Sequence, residues 1–251
     1  MTHVKWLGVP SRAGRVQLSV DELGHECVLK LEDNPATAEY QVEVMKAFGS
    51  GSDHVVMLQH YYPASAADPR ACLQLALLPH DLERHIKSVG TVMAGLRRDI
   101  ARSLLEALAY IHGVRTAAFP RGIVHGDIKP LNVMMDAGFR VRLIDFDEAR
   151  GVGTSVAVPH PPGVTLEYTS PEMYRARVGD FCEPVLLATE AHDIACAGLV
   201  LWKLLDATHR PAFETEEEAI AALGGTGDVV DVERIDTGVY IFYARVAAGL
   251  R

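Results

Sequence analysis

The sequence is short of several features, and each shortage excludes a class. Among 251 residues there are only 4 cysteines. Cys27, Cys72, Cys182 and Cys196 are scattered without a CxxC pair, which argues against a disulfide scaffold or a cysteine zinc site. Basic charge is scarce as well: 24 Lys and Arg stand against 33 Asp and Glu, a net charge of −9. A protein that coats nucleic acid needs basic surface to displace counterions from phosphates, so no nucleic-acid partner is expected. Long apolar runs are missing. The strongest, residues 195–205, contains Lys203 and falls short of the roughly 20 residues that span a bilayer. The opening stretch MTHVKWLGVPSRAGR has no apolar core of signal-peptide length. Glycine and proline follow no period, no heptads are sustained, and there is no internal repeat. These absences lead to an expectation of no membrane partner and a cytoplasmic or other intracellular reducing location.

What is present is a folded-domain composition, 49% hydrophobic and 23% charged, too apolar for a disordered chain. Patterning predicts strands over 16–20, 27–31, 54–58 and 72–78. A helix is predicted over 37–48, after Asn34-Pro35, with Ala38, Val42, Met45 and Phe48 on one face. A second, over 93–112, repeats Leu96, Ile100, Leu104, Leu108 and Ile111 at helical spacing. A strand-rich first third followed by a helical remainder predicts two lobes with a cleft between them, divided near residues 78–81.

The chemistry concentrates in IVHGDIKPLNVMM at 123–135 and LIDFD at 143–147. Two acids and an amide on short loops between apolar strands place polar ends at a cleft. Hard oxygen donors in that pattern suit a divalent cation and phosphate. A separate carboxylate suits the orientation of a hydroxyl nucleophile and acceptance of its proton.

These segments resemble the eukaryotic-type protein kinase superfamily. The catalytic-loop pattern His-Arg-Asp-x-Lys-x-x-Asn reads here His125-Gly126-Asp127-Ile128-Lys129-Pro130-Leu131-Asn132. Asp145-Phe146-Asp147 stands for Asp-Phe-Gly, and Ser170-Pro171-Glu172 for Ala-Pro-Glu. The resemblance implies an α+β bilobal fold: an antiparallel sheet with one helix over 1–78, and a larger, mainly helical lobe over 79–251. It implies ATP and magnesium, with manganese as the alternative, and a protein substrate. Asp127 is then the catalytic base and Lys129 steadies the transferring phosphate. Asn132 and Asp145 hold the metal, and Thr165 contacts the catalytic Asp and Lys. Asp-x-Lys-Pro implies serine/threonine specificity. Asp193 resembles the helix acid that braces the catalytic loop, with His125 and Glu172 as structural residues.

For the nucleotide, Lys30 in CVLK resembles the strand lysine that pairs with the first two phosphates, though a strand lysine can also simply face solvent. Glu43 is the expected helix partner, with Glu39 as fallback. Leu75 to Leu78 are expected to form the hinge, and Met134 the adenine floor. The glycine-rich loop is set against residues 9–16, where Gly14 alone survives of three glycines and Val16 covers adenine. Pro10 removes an amide there, so a plain turn and a phosphate clamp both remain open.

Two departures bear on mechanism. Gly126 replaces the arginine that pairs with a phosphorylated activation loop, so little dependence on phosphorylation of Thr154 or Ser155 is expected. Asp147 replaces a glycine and adds a carboxylate near the metals. The expected activity is a serine/threonine protein kinase transferring the γ-phosphoryl of ATP. The alternatives are a catalytically weak pseudokinase acting as a binding module and a small-molecule phosphotransferase of the aminoglycoside- or choline-kinase type. The net charge suits basic protein substrates. The arginine that pairs with the Pro-Glu acid has no clear match except Arg251, and the second lobe is expected to be cut short at its C-terminal end.

Overall fold

The computed structural model describes residues 2–205, apart from 12–13, 22, 50–51, 67, 89–93, 158–167, 169, 171–172 and 174–184. Five antiparallel strands form the first layer: β1 (Thr2–Ser11), β2 (Gly14–Val20), β3 (Glu26–Glu32), β4 (Leu58–Tyr62) and β5 (Ala71–Ala76). Their order is β1-β2-β3-β5-β4, so β3 is central and hydrogen-bonded on both sides. In that register Val16 lies opposite Lys30 on one side and Leu73 opposite it on the other.

One helix, α1 (Pro35–Ala47), packs against this sheet. Asn34 caps it by accepting from the Ala36 amide at 3.0 Å, and Pro35 opens it where its missing N–H costs nothing. Its buried positions, Ala38, Gln41, Val42, Val44 and Met45, include one polar residue in an otherwise apolar stripe.

After β6 (His80–Asp81) the chain turns helical, through α2 (Leu82–Ser88) and α3 (Ala94–Gly113). The stripe on α3 forms the core of this lobe: Ile100, Leu104 and Ile111 are fully buried and Leu108 nearly so. It packs on α4 (Glu190–Leu205), whose Ala197, Val200, Leu201 and Leu204 are also buried.

Short strands carry the loops between these helices and the sheet. They are β7 (Ile123–Val124), β8 (Val133–Met135), β9 (Val141–Leu143) and β10 (Arg150–Gly151). β8 pairs with β6 and β9, and β7 pairs with β10. Residues 125–132 and 144–149 therefore emerge side by side. A further antiparallel pair joins β11 (Ser155–Ala157) to β12 (Val185–Leu187).

The expected strand over 54–58 differs in the structure. The ladder starts only at Leu58, and residues 54–56 instead bond to β9: Val56 N donates to Leu143 O at 2.9 Å, and Leu143 N to His54 O at 3.0 Å. An apolar run with unpaired backbone groups goes wherever partners are available, and here they lie in the second lobe. Arg142 reinforces that seam, donating to Ser52 O at 2.6 Å and to Asp53 at 2.8 Å. The Tyr110 hydroxyl on α3 adds a bond to Phe48 O at the end of α1. Cys27, Cys72 and Cys196 are free thiols, while Cys182 lies outside the described residues. Among the described residues no helix is long and apolar enough to cross a membrane.

Truncating the α3 stripe should be far costlier than truncating a surface leucine. Leu104→Ala is expected to lose about 2–5 kcal/mol in urea unfolding. Leu131→Ala, at a side chain 59% exposed, should stay within about 0.5 kcal/mol of the parent.

Candidate active site

The acid at Asp127 is held by its own loop. Its Oδ2 accepts from Lys129 Nζ at 2.6 Å and from Asn132 Nδ2 at 2.8 Å. The Asn132 amide also donates to Asp127 O at 2.9 Å, closing the loop across five residues. Pro130 opens a single 3₁₀ turn, Pro130–Asn132, which brings Asn132 back under Asp127. The side chains of Asp127 and Lys129 are each about one-quarter exposed, so this pair faces the cleft.

Two hydrogen bonds join this loop to the segment that carries Asp145. The Ile144 amide donates to Asn132 O at 3.1 Å, and His125 Nε2 donates to Ile144 O at 2.9 Å. With Nε2 carrying the proton, His125 Nδ1 accepts the Asp127 amide at 3.3 Å. Phe146, 2% exposed, packs against the rings of His125 and Phe48 with centroids 4.9 and 5.0 Å away. Asp145, between Ile144 and Phe146, has φ of 65°, a left-handed conformation that Asp tolerates better than most residues.

Beneath the loop, Asp193 is fully buried on α4 and takes three donors. The His125 amide bonds it at 2.7 Å, the Gly126 amide at 2.9 Å and His112 Nε2 at 2.8 Å. Burial alone pushes this carboxyl up, but His112, His125 and the Gly126 amide outweigh it and hold it below the ordinary carboxylate range. His192, one residue earlier, donates from Nε2 to Gly126 O at 3.1 Å, and its Nδ1 accepts from the Ser170 hydroxyl at 2.8 Å.

The lysine expected for nucleotide lies in the same cleft, but its expected partner does not. Lys30, 7% exposed, bonds Asp145 Oδ1 at 2.6 Å, Asp147 Oδ1, and Gln41 Oε1 at 3.0 Å, and pairs with Glu32 at 3.2 Å. Glu43 and the fallback Glu39 are both exposed on the outer side of α1, so neither serves as the lysine's acid. Helical rotation explains the correction: Gln41 falls among the buried positions of α1 and Glu43 does not. Burial lowers the Lys30 ammonium, yet Asp145 and Asp147 more than offset it and the net shift is upward. Burial also opposes ionisation of Asp145, but Lys30 holds its carboxyl low. Asp147, buried beside the Asp145 charge, is pushed up to about 7 despite Lys30.

Sequence reasoning missed Glu32, Gln41, His112 and His192. Two readable signals existed, a Glu two residues after a strand lysine and a Gln within an apolar helical stripe. Of the remaining expected residues, Val16 flanks Lys30 on β2, and Leu75 and Leu78 pack against the core at the junction of the lobes. Met134 lies on β8 opposite Arg142. Gly14 begins β2 opposite Ser11, and residues 12–13 between them lie outside the described residues. Thr165 and Glu172 also lie outside them, as does Arg251.

The donor set fits a shared cation. Among the described residues no three His, Cys, Asp or Glu side chains form a metal cluster by themselves. Asp145 and the side-chain amide oxygen of Asn132 remain as hard donors, and magnesium commonly completes its shell with water and nucleotide phosphate.

Gly126 is required by its surroundings. Its φ is 83°, and a Cβ there would lie 2.6 Å from the Glu148 carbonyl oxygen. Gly126→Arg, which installs the family's arginine, is expected to cost about 1–3 kcal/mol in urea unfolding. A second prediction follows from Asp147. With its folded value near 7 against about 4 when unfolded, it takes up a proton on folding between those limits. Its favourable contribution is present at acid pH and is lost as pH rises through 7. In EDTA, the melting temperature of Asp147→Asn relative to the parent should therefore climb from about pH 5 to about pH 8.

Comparison with known proteins matches this sequence to a family. The family model for the protein kinase domain covers residues 25–234. Serine/threonine-protein kinase F of Synechocystis sp. is 25% identical over 228 residues, 74% of this chain and 44% of that protein. Serine/threonine-protein kinase US3 homolog of Gallid herpesvirus 2 is 28% identical over 73% of this chain and 41% of its own length. Salt tolerance receptor-like cytoplasmic kinase 1 of Oryza sativa is 31% identical over 57% of this chain and 38% of its own length. The chain spans less than half the length of these curated relatives. The family match runs from β3 through α4 and takes in both polar loops: this chain belongs to the protein kinases.

Proposed function

We propose that the chain is a serine/threonine protein kinase that transfers the γ-phosphoryl of ATP to protein hydroxyls. The observation that carries this reading is the Asp127 carboxylate, held by Lys129 and Asn132 and joined through Ile144 to Asp145. A carboxylate fixed in this way orients an incoming hydroxyl and accepts its proton. Lys129, already 2.6 Å from Asp127, lies where charge develops on the transferring group and neutralises it. Lys30 binds the first phosphates of the nucleotide, exchanging the Asp145 and Asp147 carboxylates for phosphate oxygens. Asn132 and Asp145 hold magnesium or manganese, which when bound neutralises phosphate charge. Leu75, Leu78, Val16 and Met134 enclose the adenine, and Thr165 positions the substrate.

Asp193 supports the catalytic loop from below, and His192 ties its Gly126 carbonyl to Ser170. The net charge of −9 favours basic protein substrates over acidic ones. Free thiols at Cys27, Cys72 and Cys196 suit a reducing, cytoplasmic setting. A second reading, a binding module with little catalysis, is favoured by one contact: Asp147 occupies the lysine that ATP must engage.

Purified protein with labelled ATP and magnesium is expected to label basic protein substrates. Asp127→Asn should lower that rate by about 10²–10⁴-fold, and Lys30→Met should lose nucleotide binding. Glu43→Gln is expected to bind nucleotide as the parent does. Absence of transfer together with absence of an ATP-dependent thermal shift overturns the enzyme reading. Binding without transfer selects the second reading.

A further inference from the structure

We propose that Glu32 is the positioning acid for Lys30, with Gln41 as a neutral strut, so that the ion pair is internal to β3 and independent of where α1 sits. This deepens the kinase reading and rests on it for the role of Lys30.

Lys30 and Glu32 are two apart on one strand, which places both side chains on the same face. Their charged atoms lie 3.2 Å apart, and Glu32 is only 2% exposed. A buried carboxylate is retained only where charge and hydrogen bonds compensate it. Glu32 has both, from Lys30 and from Gln41 Nε2, which donates to its Oε1 at 3.0 Å. Gln41, also 2% exposed, turns its other end to the lysine and accepts from Nζ at 3.0 Å. Lysine, glutamate and glutamine thus close a buried three-membered ring of contacts.

The other two carboxylates on Lys30 belong to the opposite side of the cleft. Asp145 and Asp147 are drawn away when a cation and phosphates occupy it. Glu32 and Gln41 stay, because they come from the strand and helix that frame the lysine. In a kinase whose lysine pairs with a helix acid, displacement of that helix breaks the ion pair and switches the enzyme. Here α1 contributes only an amide. Moving it removes the two hydrogen bonds of Gln41, one to each charged group, and leaves the charge pair intact on β3.

The test compares Glu32→Gln, Gln41→Ala and the exchange Glu32→Gln/Gln41→Glu, in the full chain. Glu32→Gln keeps shape and an acceptor for Gln41 but removes charge. It is expected to raise KM for ATP by about tenfold or more, with a smaller change in kcat. Gln41→Ala should shift KM by only about threefold. The exchange moves the carboxylate onto the helix and should restore KM to within about threefold of the parent. A KM for Glu32→Gln within about twofold of the parent, or no recovery in the exchange, overturns the proposal.

A second arm does not depend on ATP. Glu32→Gln should lower the melting temperature by about 5 °C or more in the parent. In the Lys30→Met background, where Glu32 has lost its cation, the same change should cost nothing or be favourable. Equal losses in both backgrounds overturn the ion pair. Failure of the parent to bind ATP overturns the kinase reading alone, and this arm still decides the pairing.

Discussion

One ammonium group, buried between the lobes, constrains the centre of this molecule. Taking Lys30 out of water is tolerated only if anions meet it, and an excess of them does. Glu32 comes from its own strand, Gln41 from α1, and Asp145 with Asp147 from the loop after β9. Sheet, helix and the loop after β9 are therefore drawn to one point by a single charge. Burial first, and then this crowding, explain why Asp147 is reluctant to ionise: its carboxyl is desolvated, and the Asp145 and Glu32 charges compete with it for one cation.

A second buried charge does for the lower lobe what Lys30 does for the cleft. Asp193 is an anion in an apolar helix, compensated by two consecutive amides and an imidazole. Because the amides of His125 and Gly126 are donated to it, the loop over 125–132 is anchored by backbone. That leaves the side chains of Asp127, Lys129 and Asn132 to organise each other. His125 passes the constraint upward to Ile144, and Phe146 seals the joint against Phe48. The two polar loops are thus registered through the backbone and an aromatic contact. A change in either loop is felt in the other.

Much of this was legible because local pattern and local chemistry agree. The α3 stripe has helical period and is buried at the positions its period selects. That Asp127, Lys129, Asn132 and Asp145 come together was readable because they lie a few residues apart on two short polar loops. Other features were not legible. Residues 54–56 are apolar enough for a strand, yet whether they pair with β5 or β9 depends on which edge lies within reach. Glu43 and Gln41 are both polar residues on one helix. Only the rotation of α1 against the sheet buries Gln41 and leaves Glu43 in solvent.

The sequence by itself determined the family, the order of strand-rich and helical parts and which polar side chains share the cleft loops, since these reside in periodicity and in short motifs whose members lie within a few residues of each other. Tertiary structure decided which acid serves Lys30, which imidazole supports Asp193, and how His192 joins Gly126 to Ser170. Those partnerships span strands, helices and both lobes. Desolvation makes them obligatory and strengthens their attraction, desolvation depends on burial, and burial is a property of the packed fold.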